Sequence, residues 1–311
     1  MIINDKLIQS PFNYLGGKFK LLPQLFPLFP NDISLFVDLF CGGGNVGINA
    51  NADKIILNDI DNDLMNLYLL FNKLDEQSIF EKIFEIIDKY GLSRSDLHDY
   101  AYYDCDSAAG LMSYNKENYI RLRKDLNLLK QKDDTYYLLL YVMIVFSFNN
   151  QIRFNTKGEF NLPVGKRDFN KCMQKKLFDF IYRIKDKRYV FESQSFEHIN
   201  NNNWNENTFV YCDPPYLITC ATYNEQDKWN ENTEKKLLKY LDDLHEKKIK
   251  FALSNVLKSK GKENVILQNW LTENQDKYSV CNLNFNYSNS NYQTKDKTKS
   301  AKEVLIINYK K

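Results

Sequence analysis

The chain has 311 residues, of which 43% are hydrophobic and 26% are charged, and its formal net charge is +2. This composition excludes a disordered or low-complexity protein and predicts either one large domain with an insert or two domains. The small net charge also excludes a protein that is basic throughout, so binding to nucleic acid requires a locally basic face.

Three features of the sequence predict that the chain lacks a metal site, a signal peptide and a membrane span. The cysteines at positions 41, 105, 172, 212, 220 and 281 form no CxxC pair and lack a histidine partner at ligand spacing, which predicts reduced thiols and no metal site. Residues 1–5 lack a signal-peptide pattern. The apolar stretch 136–148 is shorter than the roughly 20 residues that a bilayer span requires. We therefore expect a cytoplasmic protein with no membrane contact.

A candidate ligand loop follows the first predicted strand. Residues 36–40 are mainly apolar and precede Cys41-Gly-Gly-Gly44, which predicts a buried strand, a glycine loop and then a helix at 45–51. Such loops bind nucleotide-like ligands in doubly wound sheets, where Asp38 can reach a charged ligand amine. The alternative is a tight strand-to-helix turn without a ligand.

A second predicted strand, residues 54–58, ends before Asp59. An acidic residue about 20 positions after the first strand can bind both hydroxyls of a ribose. The spacing of Asp38 and Asp59 therefore predicts recognition of an adenosyl group.

Residues 62–167 differ in character from the rest of the chain. Helix-period apolar positions recur at 64–74, 79–90 and 114–130, without a strand pattern of comparable strength, and 136–148 is predicted as a buried helix. We predict that 1–61 and 168–311 form one domain and that 62–167 is an inserted, mainly helical domain.

The end of this insert predicts a β-hairpin. Residues 148–160 alternate aromatic and polar side chains around a turn at Lys157-Gly158. A ribbon of this kind fits the DNA major groove, where Arg153 can donate to guanine O6 and N7. The alternative is a solvent-facing hairpin in which Arg153 pairs with Glu159. Residues 166–188, with nine Lys or Arg against three Asp, are either a basic face or an ordinary solvated amphipathic helix.

The C-terminal part predicts a layered α/β architecture. Strand patterns occur at 189–192, 208–212, 250–254, 281–287 and 304–308, and helix patterns at 234–246 and 263–272. This alternation predicts a sheet covered by helices on both faces. The last two strands are expected to pair as an antiparallel edge, joined by a polar connection at 288–302.

The segment Asp213-Pro214-Pro215-Tyr216, directly after a predicted buried strand, suits methylation of an exocyclic amine on a planar base. The lone pair of such an amine is delocalised, so the site must accept hydrogen bonds from its N–H groups. Asp213 and a proline-turn carbonyl supply acceptors, and the Tyr216 ring offers a face for stacking. The alternative is an ordinary Pro-Pro turn.

Taken in order, these motifs resemble the α group of DNA adenine-N6 methyltransferases, the Dam-like D12 class, which use S-adenosylmethionine. The segment 213–216, which we call the clamp, follows the cofactor loop and the insert in the order of the α group, and Asp213 favours adenine over cytosine N4, for which serine is usual. This order implies that 1–61 and 168–311 form the catalytic domain and that 62–167 is the target-recognition domain. The matching segments are Tyr14-Leu-Gly-Gly-Lys18, 36–44, Leu57-Asn-Asp59, 153–165, Asp213-Pro-Pro-Tyr216, Leu253-Ser-Asn255 and 303–309.

The resemblance implies a Rossmann-like methyltransferase sheet and a target adenine that is flipped out of double-stranded DNA. It implies that the catalytic residues are Asp213, Pro214, Pro215 and Tyr216. It implies cofactor contacts from Tyr14, Lys18, Asp38, Phe40, Gly42, Gly44, Asp59, Ile60, Phe196 and Asp213. It implies DNA contacts from Phe148, Asn149, Gln151, Arg153, Asn155, Lys157, Pro163 and Arg167. Phe148 and Asn149 are expected near the space that the flipped base leaves.

Three positions depart from the family pattern. Asn13 stands where a lysine that contacts the first guanine is common, Ser195 stands where an aspartate near the cofactor adenine is common, and Gln151 replaces an apolar residue. The expected target is therefore GATC or a related sequence. We expect a monomer that acts in restriction–modification or in prophage or host DNA modification, with a cognate restriction endonuclease as a possible partner. Methylation of RNA or of cytosine N4, and a catalytically silent DNA-binding subunit, remain alternatives.

Overall fold

The computed structural model describes residues 7–14, 16–219, 229–259, 261–284 and 302–310. The chain divides into two compact units. We call the first the helical unit and the second the sheet unit. The helical unit comprises Met1–Gly17, Gly42–Asn49 and Asp61–Lys187, and the sheet unit comprises Lys18–Cys41, Ala50–Ile60 and Arg188–Lys311.

The strands of the sheet unit follow the predicted order along the chain. They are β1 (Leu35–Asp38), β2 (Lys54–Asn58), β3 (Tyr189–Glu192), β4 (Thr208–Cys212), β5 (Lys250–Ser259), β6 (Lys262–Glu263), β7 (Ser279–Asn282) and β8 (Lys302–Ile307). The spatial order is β3-β2-β1-β4-β5-β8-β7, with β6 paired to β5. In this order, the strands β3, β2, β1, β4 and β5 run parallel, and β8 and β7 add the antiparallel edge. The mostly parallel sheet and its antiparallel edge are as predicted.

Burial explains why these segments form a sheet. Every residue of β4 is buried, as expected for a parallel strand covered on both faces. Two amphipathic helices of the same unit, α7 (Glu231–Glu246) and α8 (Val265–Glu273), contribute leucines and Trp270 to the main core cluster. The unit also contains a short N-terminal helix, α1 (Leu22–Leu25).

Among its described residues, the helical unit contains five further helices: α2 (Asn62–Lys73), α3 (Glu76–Tyr90), α4 (Met112–Leu128), α5 (Asp134–Phe146) and α6 (Lys171–Ile184). Helix α5 is buried from Tyr136 to Phe146 and contacts α2, α3 and α4. Asp61, Asp75, Asp133 and Asn170 cap four of the helices by accepting backbone N–H groups, which offsets the unpaired donors of a first turn. In the described part of the chain, no helix is both long and apolar enough to cross a bilayer.

The helix predicted at residues 45–51 is wrong. The segment forms only a 3-10 turn, Gly47–Asn49. The side chain of Asn45 accepts the Ser10 amide, and that of Asn49 exchanges hydrogen bonds with Ile8. These contacts compete with a helical ladder. The strand predicted at 281–287 overlaps β7 only at 281–282, and residues 283–284 are not in a strand. Residues 285–287, like most of the connection predicted at 288–302, lie outside the described residues.

Candidate active site

Three acidic residues lie at one edge of the sheet because three neighbouring parallel strands end there. Asp38 is the last residue of β1, Asp59 follows β2, and Asp213 follows β4. The register pairs Asp38 with Leu57 on β2 and with Tyr211 on β4. The carboxyl ends of parallel strands are where open α/β sheets bind ligands. This edge is therefore the candidate site of the sheet unit.

Asp213 belongs to a buried hydrogen-bonded cluster. Lys18 Nζ lies 2.8 Å from Asp213 Oδ2, and its side chain is only 2% exposed. The Tyr216 hydroxyl donates to Asp213 Oδ1 at 2.9 Å. The Lys18 ammonium also lies 5.1 Å from the centroid of the Tyr216 ring. The Asp213 side chain retains 19% exposure, so a ligand can reach this carboxylate.

A fourth member, Glu303, completes this cluster. Its Oε1 lies 3.5 Å from Lys18 Nζ and 3.1 Å from the Tyr216 hydroxyl, and its side chain is 1% exposed. Glu303 is near the start of β8, which runs antiparallel to β5, so it reaches the edge where the parallel strands end. Sequence reasoning gave Glu303 no role. The available signal was a charged residue directly before the apolar run 304–307, since a buried charge requires partners.

The electrostatics of Asp213 reflect opposing influences. Burial raises the pKa of the Asp213 carboxyl above its usual range, while the Lys18 ammonium opposes this rise and Glu303 adds to it. The carboxylate thus has a cation on one oxygen, a hydroxyl donor on the other, and lone pairs left over on both. It can accept a further N–H group from a ligand.

Asp59 and Asp38 have surroundings that suit a polar ligand with an apolar ring. Asp59 is nearly buried, and the next residue, Ile60, is 66% exposed. Asn58 fixes the loops at this edge by donating to the carbonyls of Leu39 and Gln194, a role that the sequence did not reveal. Asp38 is almost fully buried.

An aromatic cluster lies in the same unit. The Phe40 ring lies 5.7 Å from both Phe196 and Trp229, measured between centroids. Ser195, one of the departures from the family pattern, accepts the Glu197 amide. These carboxylates can accept hydrogen bonds from hydroxyl or amine groups, and the apolar side chains can pack against a ring. Together they fit an adenosyl ligand that bears an amine.

The glycine segment can be explained within the helical unit. Gly42 and Gly44 have φ values of +48° and +76°, which favour glycine. A Cβ at Gly42 would lie 2.9 Å from the Tyr14 ring, and one at Gly44 would lie 3.1 Å from the Tyr68 hydroxyl. Tyr68 also donates to the Gly42 carbonyl at 2.6 Å. Close packing therefore requires the glycines, and cofactor contact by Tyr14, Gly42 and Gly44 stays a prediction.

Residues 147–165, which we call the recognition loop, reverse the chain as predicted but do not form a regular β-hairpin. Antiparallel pairing is limited to two isolated bridges, Ser147 with Val164 and Phe154 with Phe160. Helix α4 instead binds the returning arm, because the side chains of Tyr119, Arg123 and Asn127 donate to its carbonyls. Asn149 and Asn150 also adopt left-handed φ values that interrupt a strand.

The alternative pairing of Arg153 with Glu159 is wrong. Arg153 Nε donates to Asn161 Oδ1 at 2.8 Å, and Glu159 accepts from Asn155. Most of the predicted DNA-contacting side chains in and beside the recognition loop face solvent. Phe148, Asn149, Arg153, Lys157, Pro163 and Arg167 are exposed, and Gln151 and Asn155 are half-buried.

Asn13, which stands where a lysine that contacts guanine is common in the family, binds the recognition loop. Its Nδ2 donates to the Asn149 carbonyl at 2.7 Å. The Asn150 side chain donates to the Val145 carbonyl at the end of α5. These two contacts fix the left-handed turn that carries Phe148 and Asn149.

Comparison with known proteins identifies the family. The family described as "D12 class N6 adenine-specific DNA methyltransferase" matches residues 14–282. The chain belongs to this family. The D12 match includes Lys18, Asp38, Asp59 and Asp213 and ends before Glu303.

Individual D12-class and related methyltransferases are similar over most of the chain. The Type II methyltransferase M.FokI of Planomicrobium okeanokoites is 41% identical over 98% of this chain and 43% of its own length. Modification methylase StsI of Streptococcus sanguinis is 37% identical over 98% of this chain and 43% of its own length. A DNA adenine methylase of Haemophilus influenzae is 27% identical over 69% of this chain and 66% of its own length. The chain thus spans less than half the length of the first two proteins.

Proposed function

We propose that this chain transfers a methyl group from S-adenosylmethionine to N6 of an adenine that is flipped out of double-stranded DNA. The observation that carries the proposal is the Asp213 carboxylate at the end of β4, held by Lys18 and Tyr216 but still partly exposed. Membership of an adenine-specific family supplies the substrate class.

The chemistry follows from the delocalised lone pair of an adenine amino group. Asp213 accepts one N–H bond, and the carbonyl of Pro214 or Pro215 accepts the other, which returns the lone pair to nitrogen. The Tyr216 ring stacks on the base. The bound cofactor supplies an electrophilic methyl group. Alignment of N6 with that group, rather than a covalent enzyme intermediate, supplies most of the rate.

We assign cofactor binding in the sheet unit to the acidic and apolar side chains at the strand ends. Asp59 binds the ribose hydroxyls, Asp38 binds the charged amine, and Ile60, Phe40 and Phe196 pack against the adenine ring. Support comes from the exposure of Ile60 beside a nearly buried carboxylate and from the aromatic cluster of Phe40 and Phe196.

For the target sequence, we propose GATC or a related site that contains a central adenine. Arg153 reads a guanine edge, and Phe148 and Asn149 contact the space that the flipped base leaves. Exposure of these side chains on a loop whose backbone is fixed supports the proposal. Asn13, whose amide is bound to Asn149, is not assigned to a base.

We also propose a cellular context. The names of two relatives, Type II methyltransferase and modification methylase, support a role in modification within a restriction–modification system. A cognate endonuclease, action as a monomer and a cytoplasmic location complete the proposal.

The test is incubation with cofactor carrying a labelled methyl group and a panel of duplexes, followed by digestion and identification of the labelled nucleoside. We expect N6-methyladenine in duplexes that contain one short site, and none with D213A. Label in cytosine, or label only in RNA, would replace the proposal by one of the alternatives. DNA binding without any label would indicate a silent binding subunit.

A further inference from the structure

We propose that Glu303 and Lys18 are positioning residues for methyl transfer: both hold Asp213 and Tyr216, and Glu303 gives the cluster a net negative charge that favours transfer to N6. The inference rests on the proposed function. Glu303 lies outside the matched region 14–282, and Lys18 was expected only at the cofactor.

The geometry is a closed cycle of two donors and two acceptors. Lys18 contacts Asp213 at 2.8 Å and Glu303 at 3.5 Å, and Tyr216 contacts Asp213 at 2.9 Å and Glu303 at 3.1 Å. An ammonium has three N–H groups and can serve both carboxylates, whereas the single proton of a hydroxyl is shared between them. Moving any one side chain therefore disturbs both oxygens of Asp213.

Formal charges explain why a second carboxylate is useful. Lys18 and Asp213 alone sum to zero, and adding Glu303 gives a net charge of −1. During transfer, the N6 lone pair forms a bond to the methyl carbon, and the carbon–sulfur bond breaks with its electrons going to sulfur. Positive charge appears on N6 until a proton passes from N6 to water. A negative cluster beside N6 stabilises this charge, and burial strengthens the effect.

A purely structural explanation is less consistent with the burial. Asp213 already pairs with the Lys18 ammonium, and a second buried carboxylate adds a desolvation cost. Glu303 is 1% exposed and also adds to the rise in the pKa of Asp213. The fold thus retains an acid that disfavours ionisation of its neighbour, which is expected only if the added negative charge has a use.

The groups that face Asp213 come from several elements, so a pH experiment must consider all of them. Lys18, Tyr216 and Glu303 on β8 act on Asp213 itself, and Tyr211 and Cys212 on β4 are influenced by both Asp213 and Asp38 on β1. Tyr211 is hydrogen-bonded to Ser254, and burial raises the pKa of both Tyr211 and Cys212 well above the usual range. Only Asp213, Glu303 and Asp38 are carboxyl groups.

The main variant is E303Q, which keeps the size and an acceptor oxygen but removes the charge. We expect kcat to fall about tenfold to a hundredfold, within the range that charge stabilisation supplies, with KM for cofactor and DNA unchanged. Fluorescence of 2-aminopurine at the target position should still increase on binding, because flipping precedes transfer. The acid limb of kcat should move to lower pH, because Glu303 raises the pKa of Asp213.

The matched control is D242N on α7. Asp242 accepts from the Tyr278 hydroxyl at 2.6 Å in the same unit, so this variant also removes a carboxylate that binds a tyrosine. It should lower the melting temperature while leaving kcat unchanged. Wild-type kcat in E303Q would overturn the charge role of Glu303, as would an equal loss of kcat in D242N.

A second readout needs neither DNA nor cofactor. Carbon-13 labelling of aspartate carboxyl groups, with D213N to assign the resonance, gives the titration midpoint of Asp213 by NMR. The midpoint should fall in E303Q, rise in K18M and stay near the wild-type value in K18R. An unchanged midpoint in E303Q would refute the coupling even if K18M failed to fold. If the wild type labels a base other than adenine, the proposed function fails, and this titration still decides whether Lys18 and Glu303 act on Asp213.

Discussion

The clamp in the sheet unit and the recognition loop in the helical unit are held in place in opposite ways. At the clamp, the almost fully buried Lys18 binds Asp213, and Glu303, which is also buried, contacts Lys18 and Tyr216. In the recognition loop, the polar side chains remain exposed, and the backbone is fixed instead, through buried Phe160 and Leu162 and through hydrogen bonds from α4.

The proposed function explains this difference. Chemistry at one nitrogen requires an acceptor with a set ionisation state, which burial and neighbouring charges provide. Reading a sequence requires donors and acceptors that are free to meet base edges, so their support must come from elsewhere. Substitutions in the clamp should therefore change rate, and substitutions in the loop should change selectivity or stability.

The largest expected effect is that of D213A on methyl transfer. The variant lacks the acceptor for N6, so we expect turnover to fall about a thousandfold or more, equivalent to about 4 kcal/mol in the barrier. Cofactor and DNA dissociation constants should change little. Single-turnover transfer of a labelled methyl group, with calorimetry for both ligands, measures the two quantities. Near-native turnover would remove Asp213 from the clamp.

In the recognition loop, the largest expected effect is that of F160A on stability. Phe160 is 1% exposed, its backbone pairs with Asn127 on α4, and it supports the exposed turn without facing solvent. Loss of a buried phenylalanine should lower the free energy of unfolding by about 3–4 kcal/mol. Chemical denaturation measures this change. If stability is unaffected, the loop is not supported by its buried residues.

A smaller effect is expected for D59A on cofactor affinity. Removal of a charge-assisted hydrogen bond should weaken binding by about 1.5–3 kcal/mol. The control is D53A, since Asp53 is exposed just before β2 and should leave affinity unchanged. Calorimetry with the cofactor alone compares them. Equal affinity in both variants would place the ribose contact elsewhere.

R153A tests whether the loop reads a base. We expect a loss of about 1–3 kcal/mol of discrimination at one base pair, with adenine still methylated in relaxed contexts. The control is K157A on the same turn, which should weaken binding to all duplexes equally and reduce the salt slope by about one. Rates on duplexes varied one base at a time separate these results. A uniform loss in R153A would indicate a phosphate contact.

The smallest expected effect is that of N13A. Loss of the hydrogen bond to the Asn149 carbonyl should weaken DNA binding by about 0.5–1.5 kcal/mol, because the turn that carries Phe148 becomes less ordered. Hydrogen exchange at the amides of residues 148–150 should accelerate in the free protein. Faster exchange without weaker binding would separate loop order from recognition.

The sequence predicted the parallel strands well because each is a short apolar run that ends in a recognisable acid or motif, as in β4 and Asp213. It failed at residues 45–51, where the side chains of Asn45 and Asn49 bond to the backbone of Ser10 and Ile8 in competition with a helix. Such contacts between distant residues leave no local pattern. For the same reason, motif spacing did not reveal that Lys18 and Glu303 meet at Asp213, which depends on the antiparallel direction of β8.

The position of β8 has a consequence for dissecting the protein. This strand lies between β5 and β7 in the sheet, although it is the last strand along the chain. A fragment that stops at residue 282, where the family match ends, would keep Lys18, Asp38, Asp59 and the segment 213–216 but would lose Glu303. It would nevertheless leave β5 and β7 without a shared neighbour and expose apolar residues of the core such as Val304 and Ile306. Deletions meant to isolate the catalytic motifs should therefore retain residues 302–310.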